Sequence, residues 1–528
     1  MCTDQVTDPV LISQLFAPIT SFQTTQTVPW RYVRRRSDNE KAFYQSGNRI
    51  IFKLEKEGVL DMDSIALLFN ANMSLPTQAL VRNFEFVNNI ENVFSRMQLL
   101  YNNVVVEDIV EPGIIGKILS IEDSSFNQYM TVDGAMSGNM NETPVTALTA
   151  PYGRFNYHTK NKAGTATLGE VARRYVIKLR FGLFQQNKPL PLHMMGGQWS
   201  IQLEVADINR SGFCATAIGP LDLTGAKTNV GLPELIYKTF HANDYTDLLY
   251  AQIRQHPLTL QFSTFQYFKR NLNTAAKVHN VRIPCGRKRL LRAYAVLRSD
   301  YDVLNSFQDP TNFYNSLDGR ASSNSVYNGV RETALRSYQW TYNQHRIPET
   351  PIVVIQENPC TTQDLTVDSI SEGYTSTGAE AWYFYKEAIR AKRRDGMHFL
   401  PGFDGSWTTL SSGIVGAGGN NATTKPVLTR VSDNGGSSAA YRSYPSRFVM
   451  VGQFSGIDSQ GRPWALAGSN NNAQLYLNLE FLSQFTTTMS AQGSWGSLSV
   501  QPSMNLEVFL EYDNVMTIDE NNNMILDC

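Results

Sequence analysis

Apolar and polar residues alternate in short runs from one end of the chain to the other. Trp199, Ile201, Leu203 and Val205 fall on one side at period two, with Ser200, Gln202 and Glu204 on the other. The same grammar sets Ile50, Phe52 and Leu54 opposite Lys53, Glu55 and Glu57, and Tyr175, Ile177, Leu179 and Phe181 opposite Lys178 and Arg180. Toward the C-terminus it sets Leu475, Leu477, Leu479 and Phe481 against Gln474, Asn478 and Glu480, and Leu506, Val508, Leu510 and Tyr512 against Glu507, Glu511 and Asp513. Each run predicts a strand with one face in a core and the other in water.

Helical spacing is confined to two stretches. In "EPGIIGKILSIED", Pro112 suits a first helical turn, and Ile114/Ile118 and Ile115/Leu119 pair at i, i+4; "GAEAWYFYKEAIRAKRRDG" is closed by Gly396. A few short helices among many strands predict an all-β sandwich architecture with long loops, not alternating βαβ units. The loops include residues 129–170 and 411–440. At 528 residues the chain exceeds one ordinary core. The rhythm breaks across residues 236–280, so the expected division is an arm at 1–29, a first domain at 30–250 and a second at 251–528. The halves share strand grammar but no repeat visible by eye, so any duplication between them must be structural.

Charge and cysteine content then narrow the function classes. With 46 basic and 47 acidic residues the net charge is -1, which argues against a chain whose main task is gripping nucleic acid or an anionic membrane. Cys2, Cys214, Cys285, Cys360 and Cys528 are widely spaced, odd in number and without a CxxC pair, which suggests neither a disulfide framework nor a zinc site. No secretory signal is visible, so synthesis in the cytosol is expected, and the sequons at Asn72, Asn141, Asn209 and Asn421 are expected to stay unglycosylated.

The search for chemistry returns little. There is no GxSxG elbow, and no HxH or HExxH spacing joins His158, His193, His241, His256, His279, His345 and His398. The glycines at 413, 416, 418 and 419 and the run "LTGAKT" both lack the spacing of a phosphate cradle. The acid pairs Glu122/Asp123 and Asp519/Glu520 are adjacent, and neighbours on a strand point apart. No catalytic residue, metal or cofactor is expected. Basic clusters do stand out at residues 30–36, 285–292 and 386–394. Within the first, Arg31, Arg34, Arg35 and Arg36 form a candidate contact patch, either for a nucleic-acid backbone or for acidic surfaces of neighbouring subunits. In the N-terminal arm, Leu11, Ile12, Leu15, Phe16 and Ile19 have the spacing of a short amphipathic helix and form a candidate partner site.

Four stretches in order resemble double-jelly-roll major capsid proteins of icosahedral DNA viruses, with the eukaryotic branch of polinton-like viruses, virophages and giant-virus relatives the nearest look. "LPLHMMGGQWSIQLEVAD" is similar to the end of that family's first jelly roll, where a Leu-Pro-Leu turn and a glycine precede a strand. "RIIFKLEKEGVLDMDSIALLFNANMSL" resembles its N-terminal strand pair, and "LLYNNVVVEDIVEPGIIGKIL" the strand and short helix that follow. "NLEVFLEYDNVMTIDENNNMI" resembles its last strand, although Asp513 intervenes between Tyr512 and Asn514. In "SYQWTYNQHRIPETPI" Pro348 and Pro351 match a proline-spaced segment whose glycines are absent here.

The resemblance implies two eight-stranded jelly rolls side by side and three chains per pseudo-hexagonal capsomer that tiles a shell. The implied partners are a homotrimer, neighbouring capsomers, and penton and minor capsid proteins, without sequence-specific nucleic-acid binding; the implied location is the virion, after synthesis in host cytoplasm. Whether a lipid layer lies beneath is not implied either way. A carbohydrate-binding or glycoside-cleaving sandwich is the alternative, for which Trp407, Trp464 and Trp495 would be the exposed platforms.

Overall fold

The computed structural model describes residues 31–74, 84–86, 90–123, 136, 173–185, 189–214, 227–240, 258–273, 276–285, 289–299, 335–354, 356–357, 374–375, 379–390, 407–410, 427–430, 449–457, 463–467, 474–481, 504–518 and 524–527. The first sandwich is built from β1 (Arg31–Arg36), β2 (Arg49–Lys53), β3 (Val59–Ser74), β4 (Phe94–Tyr101), β5 (Val104–Val110), β6 (Arg173–Lys178), β7 (Trp199–Val205) and β8 (Lys227–Phe240). One sheet runs β1-β8-β3-β6, and the facing sheet runs β2-β7-β4-β5, all antiparallel.

The second sandwich uses β9 (Leu258–Leu272), β10 (Val278–Pro284), β11 (Arg289–Ser299), β12 (Leu335–Tyr342), β13 (His345–Val353), β14 (Met450–Gln453), β15 (Gln474–Phe481) and β16 (Met504–Ile518). Its sheets run β9-β16-β11-β14 and β10-β15-β12-β13. Subtracting eight from each label returns the order of the first sandwich. The fold is therefore two jelly rolls in tandem, an arrangement in which facing sheets bury the inward residues of every strand.

The inward sets follow the period-two pattern. Trp199, Ile201, Leu203 and Val205 are buried in the first core, and Leu475, Leu477, Leu479, Leu506, Val508 and Leu510 in the second. Helix α1 (Pro112–Asp123) buries Ile114, Ile115, Ile118 and Leu119, and α2 (Ala379–Arg390) buries Ala381, Tyr385 and Ala388. The turn before β7 is built around Tyr101. The Gly197 N–H donates to the Tyr101 hydroxyl at 2.7 Å, and a Cβ at Gly197 would come within 2.2 Å of that ring. Glycine is required there because the backbone itself packs on the aromatic face.

The duplication missed by eye has a residue-level signature. β4 and β5 join through Asn102 and Asn103, both at positive φ (48° and 65°), and β12 and β13 join through Asn343 and Gln344, also both positive (45° and 74°). These are type I′ two-residue turns, whose twist matches that of the strands they connect and which asparagine tolerates well. In each sandwich the turn asparagine clasps a glutamine just outside β7 or at the start of β15. The Gln198 N–H donates to Asn102 Oδ1 at 2.8 Å and the Asn102 N–H to the Gln198 carbonyl at 3.0 Å; Gln474 and Asn343 repeat both bonds at 2.8 and 3.0 Å.

Candidate functional site

Among the described residues no group of three or more His, Cys, Asp or Glu side chains could hold a metal ion. The concentrated chemistry is structural, and it lies where the first sandwich meets the second. Glu107 on β5 is 1% exposed and accepts the N–H groups of Gly182 and Leu183 at 2.8 and 2.9 Å. Those bonds fix a short 3₁₀ turn, Gly182–Gln185, whose first residue sits directly on β9 of the second sandwich. A Cβ at Gly182 would lie 1.6 Å from the Ser263 carbonyl oxygen, so the two backbones touch.

Beside this contact a charge network crosses the junction. Glu111, at the end of β5, has a positive φ of 54° and its carbonyl accepts the N–H groups of Ile114 and Ile115 in the first turn of α1. Its carboxylate takes a hydrogen bond from Arg210 and lies within electrostatic reach of Arg298, Glu507 and Lys269 of the second sandwich. Arg298 donates to Glu507 at 2.8 Å, both side chains being almost fully buried. Burial alone would lower the Arg298 guanidinium, but Glu507 and Glu111 carry it above its usual range. Burial, reinforced by Glu507 and Glu111, also drives the Tyr267 phenol upward, so it stays protonated.

This network overturns the expectation that Glu507 and Glu511 on β16 face water. They are 3% and 1% exposed. Alternation put them correctly on the outer side of the sheet, but that side is covered by the junction and by α2. Arg292 holds Glu511 in a two-pronged pair at 2.8 and 2.9 Å and donates at 3.2 Å to the Ala388 carbonyl of α2, and the Tyr294 hydroxyl adds a bond to Glu511 at 3.2 Å.

The Glu111 carboxyl is pushed above its ordinary value, first by burial, with Arg298 and Arg210 pulling against it. A raised folded-state value means that its contribution to stability is complete below the unfolded value and is lost as pH climbs through the folded one. Glu111→Gln carries no such charge. Its unfolding free energy relative to the parent should therefore rise from about pH 4 toward neutrality. Denaturant titrations at stepped pH check this, and a relative stability that falls with pH contradicts it.

The structure divides the candidate basic patch between two faces of β1. Val33 points into the core, and Arg35 on its side pairs with Asp38 at 3.1 Å and Glu55 at 3.7 Å. Arg34 and Arg36 share the outer face with Tyr32; Arg36 approaches Glu234 at 4.0 Å, and Lys238 stands 5.4 Å from the Tyr32 ring centroid. Arg31 is exposed. The candidate arm residues Leu11, Ile12, Leu15, Phe16 and Ile19 lie outside the described residues, as does Trp495. Trp407 and Trp464 fall in the strands Trp407–Leu410 and Pro463–Ala467.

No protein-family model matches the chain, and no curated protein does either. Solved structures do. The chain is similar to VP54 of PBCV-1, as fitted into a reconstruction of the virophage Sputnik, at 11% identity and a TM-score of 0.49, covering 96% of this chain and 99% of that one. It is similar to a chain in the structure of the Sputnik virophage at 11% identity and 0.49, covering 95% and 89%, and to the mavirus major capsid protein at 9% and 0.45, covering 96% and 91%. The fold assignment stands on strand order and register.

Proposed function

We propose that the chain is the major capsid protein of an icosahedral virus and acts by assembly rather than catalysis. The observation that carries this reading is the repeated strand order of two jelly rolls locked by a buried junction. Such a chain is a rigid tile with two similar lobes. Two lobes cannot meet six neighbours, whereas three chains supply six, and cyclic closure keeps the contact from running on into a filament. In this reading the domains divide at residues 250 and 251, between β8 and β9, and residues 1–29 reach a neighbouring chain or an underlying protein. Further partners are adjacent capsomers, pentons and minor capsid proteins, and the location is the virion.

The test is light scattering of the purified full chain at micromolar concentration. A trimer of about 178 kDa (3 × 59.3 kDa) is expected. A monomer that persists across pH and salt overturns the reading.

A further inference from the structure

The two outer sheet faces match position by position but differ in what covers them. On β8, Glu234 stands between Arg36 of β1 and Leu68 of β3; on β16, Glu507 stands between Lys269 of β9 and Val296 of β11. Two residues on, Ile236 stands between Arg34 and Ala66, as Phe509 does between Tyr267 and Tyr294. A further step pairs Lys238 with Tyr32, and Glu511 with Phe265. In the second sandwich this face is sealed: Tyr294, Phe509 and Glu511 are each no more than 1% exposed. In the first sandwich Tyr32 is 65% exposed and the Arg36 side chain 70%.

The elements that do the sealing also recur. β5, whose partner register shifts between Leu99 and Leu100, delivers Glu107 and Glu111 to the junction. β13 has a register shift at the matching place, between Tyr338 and Trp340, and there it bulges outward through residues 348–351. The Gln339 amide holds the bulge by donating to the Pro348 and Glu349 carbonyls at 3.0 and 2.9 Å. Glu349 is exposed on it, and Glu380 at the start of α2 accepts the Val353 N–H at the end of β13, at 3.0 Å. An acidic edge thus stands open on one sandwich and a matching face carrying Arg34 and Arg36 on the other.

We propose that the outer face of the β1-β8-β3-β6 sheet receives the β13 edge and the start of α2 from a second copy of this chain, repeating between chains the contact that β5 and Glu111 make within one. The inference rests on the proposed trimer and names its surfaces. Repeating one contact geometry in cis and in trans is also what lets two lobes per chain close into a ring.

Charge reversal in the full chain tests it. Arg34→Glu and Glu349→Lys should each raise the concentration at which trimers dissociate by at least about tenfold, and the two together should recover part of the loss. Hydrogen exchange gives a readout that needs no variant: residues 31–36 and 345–353 should exchange slowly in the trimer and quickly in monomer obtained by dilution. A wild-type trimer indifferent to both reversals, with those segments exchanging alike in trimer and monomer, overturns the inference and leaves the trimer standing. Equal slow exchange in both states identifies the chain's own residues as the cover and overturns it too. A wild-type chain that is monomeric throughout removes the proposed function with it.

Discussion

Gly182→Ala is expected to open the junction between the sandwiches. The added Cβ would sit 1.6 Å from the Ser263 carbonyl oxygen and 2.8 Å from its carbon, both backbone atoms that no rotamer change can move aside. Relief requires the 3₁₀ turn to lift from β9, and lifting it strains the two hydrogen bonds from the turn to Glu107. Overpacking into a closed interior costs about 1–3 kcal/mol, and more where the obstacle is backbone, so a loss of about 3 kcal/mol is expected. For a domain of this size that lowers the melting temperature by roughly 6–12 °C. Gly47→Ala is the control, because its Cβ meets nothing within 4 Å and the cost is only that of a residue at φ +77°, about 1–2 kcal/mol. Calorimetry on both variants decides: a Gly182→Ala chain that melts at or above the Gly47→Ala chain contradicts the close backbone contact.

Much of the fold was legible because strands repeat every two residues. A run such as Trp199, Ile201, Leu203, Val205 can be buried in one way only, since a slip of one residue would put the whole set in water. The same rule fails at Glu507 and Glu511 for an identifiable reason. Alternation tells which face of its own sheet a residue occupies, and nothing about what another domain lays over that face. The cover over Glu507 comes from Glu111 and Arg210, hundreds of positions earlier in the chain, so no local window contains both partners. Arg298 and Glu507 themselves are 209 positions apart.

The internal repeat was hidden differently. Its clearest markers are Asn102 and Asn343, single residues in two-residue turns, each recognised by its bonds to a distant glutamine. Between the equivalent strands the loops differ in length, so the spacing carries no period. The candidate basic patch was legible as a cluster, but clustering in sequence does not place charges on one face. On β1 successive arginines point to opposite sides, which sends Arg35 to Asp38 and Glu55 and leaves Arg34 and Arg36 outside with Tyr32.

The buried pair of Arg292 and Glu511 should behave as a unit whose halves are worth far more than the whole. Their side chains are 6% and 1% exposed and meet through two parallel hydrogen bonds, so each neutralises a charge that the interior could not otherwise hold. Arg292→Met leaves the Glu511 carboxylate buried with Tyr294 as a remaining donor, and Glu511→Leu leaves a buried guanidinium whose other bond is to the Ala388 carbonyl. Each single change should cost about 3–5 kcal/mol. The double variant removes both charges and fills the space with apolar atoms, so it should fall within about 1–2 kcal/mol of the parent, the residue being the lost bond to Ala388 that ties α2 to the sheet. A double-mutant cycle by denaturant unfolding measures the coupling directly. Should the double loss equal the sum of the singles, the two groups are not sharing one buried site, and α2 is held to the outer face of the second sandwich by its apolar residues Ala381, Tyr385 and Ala388 rather than by this pair.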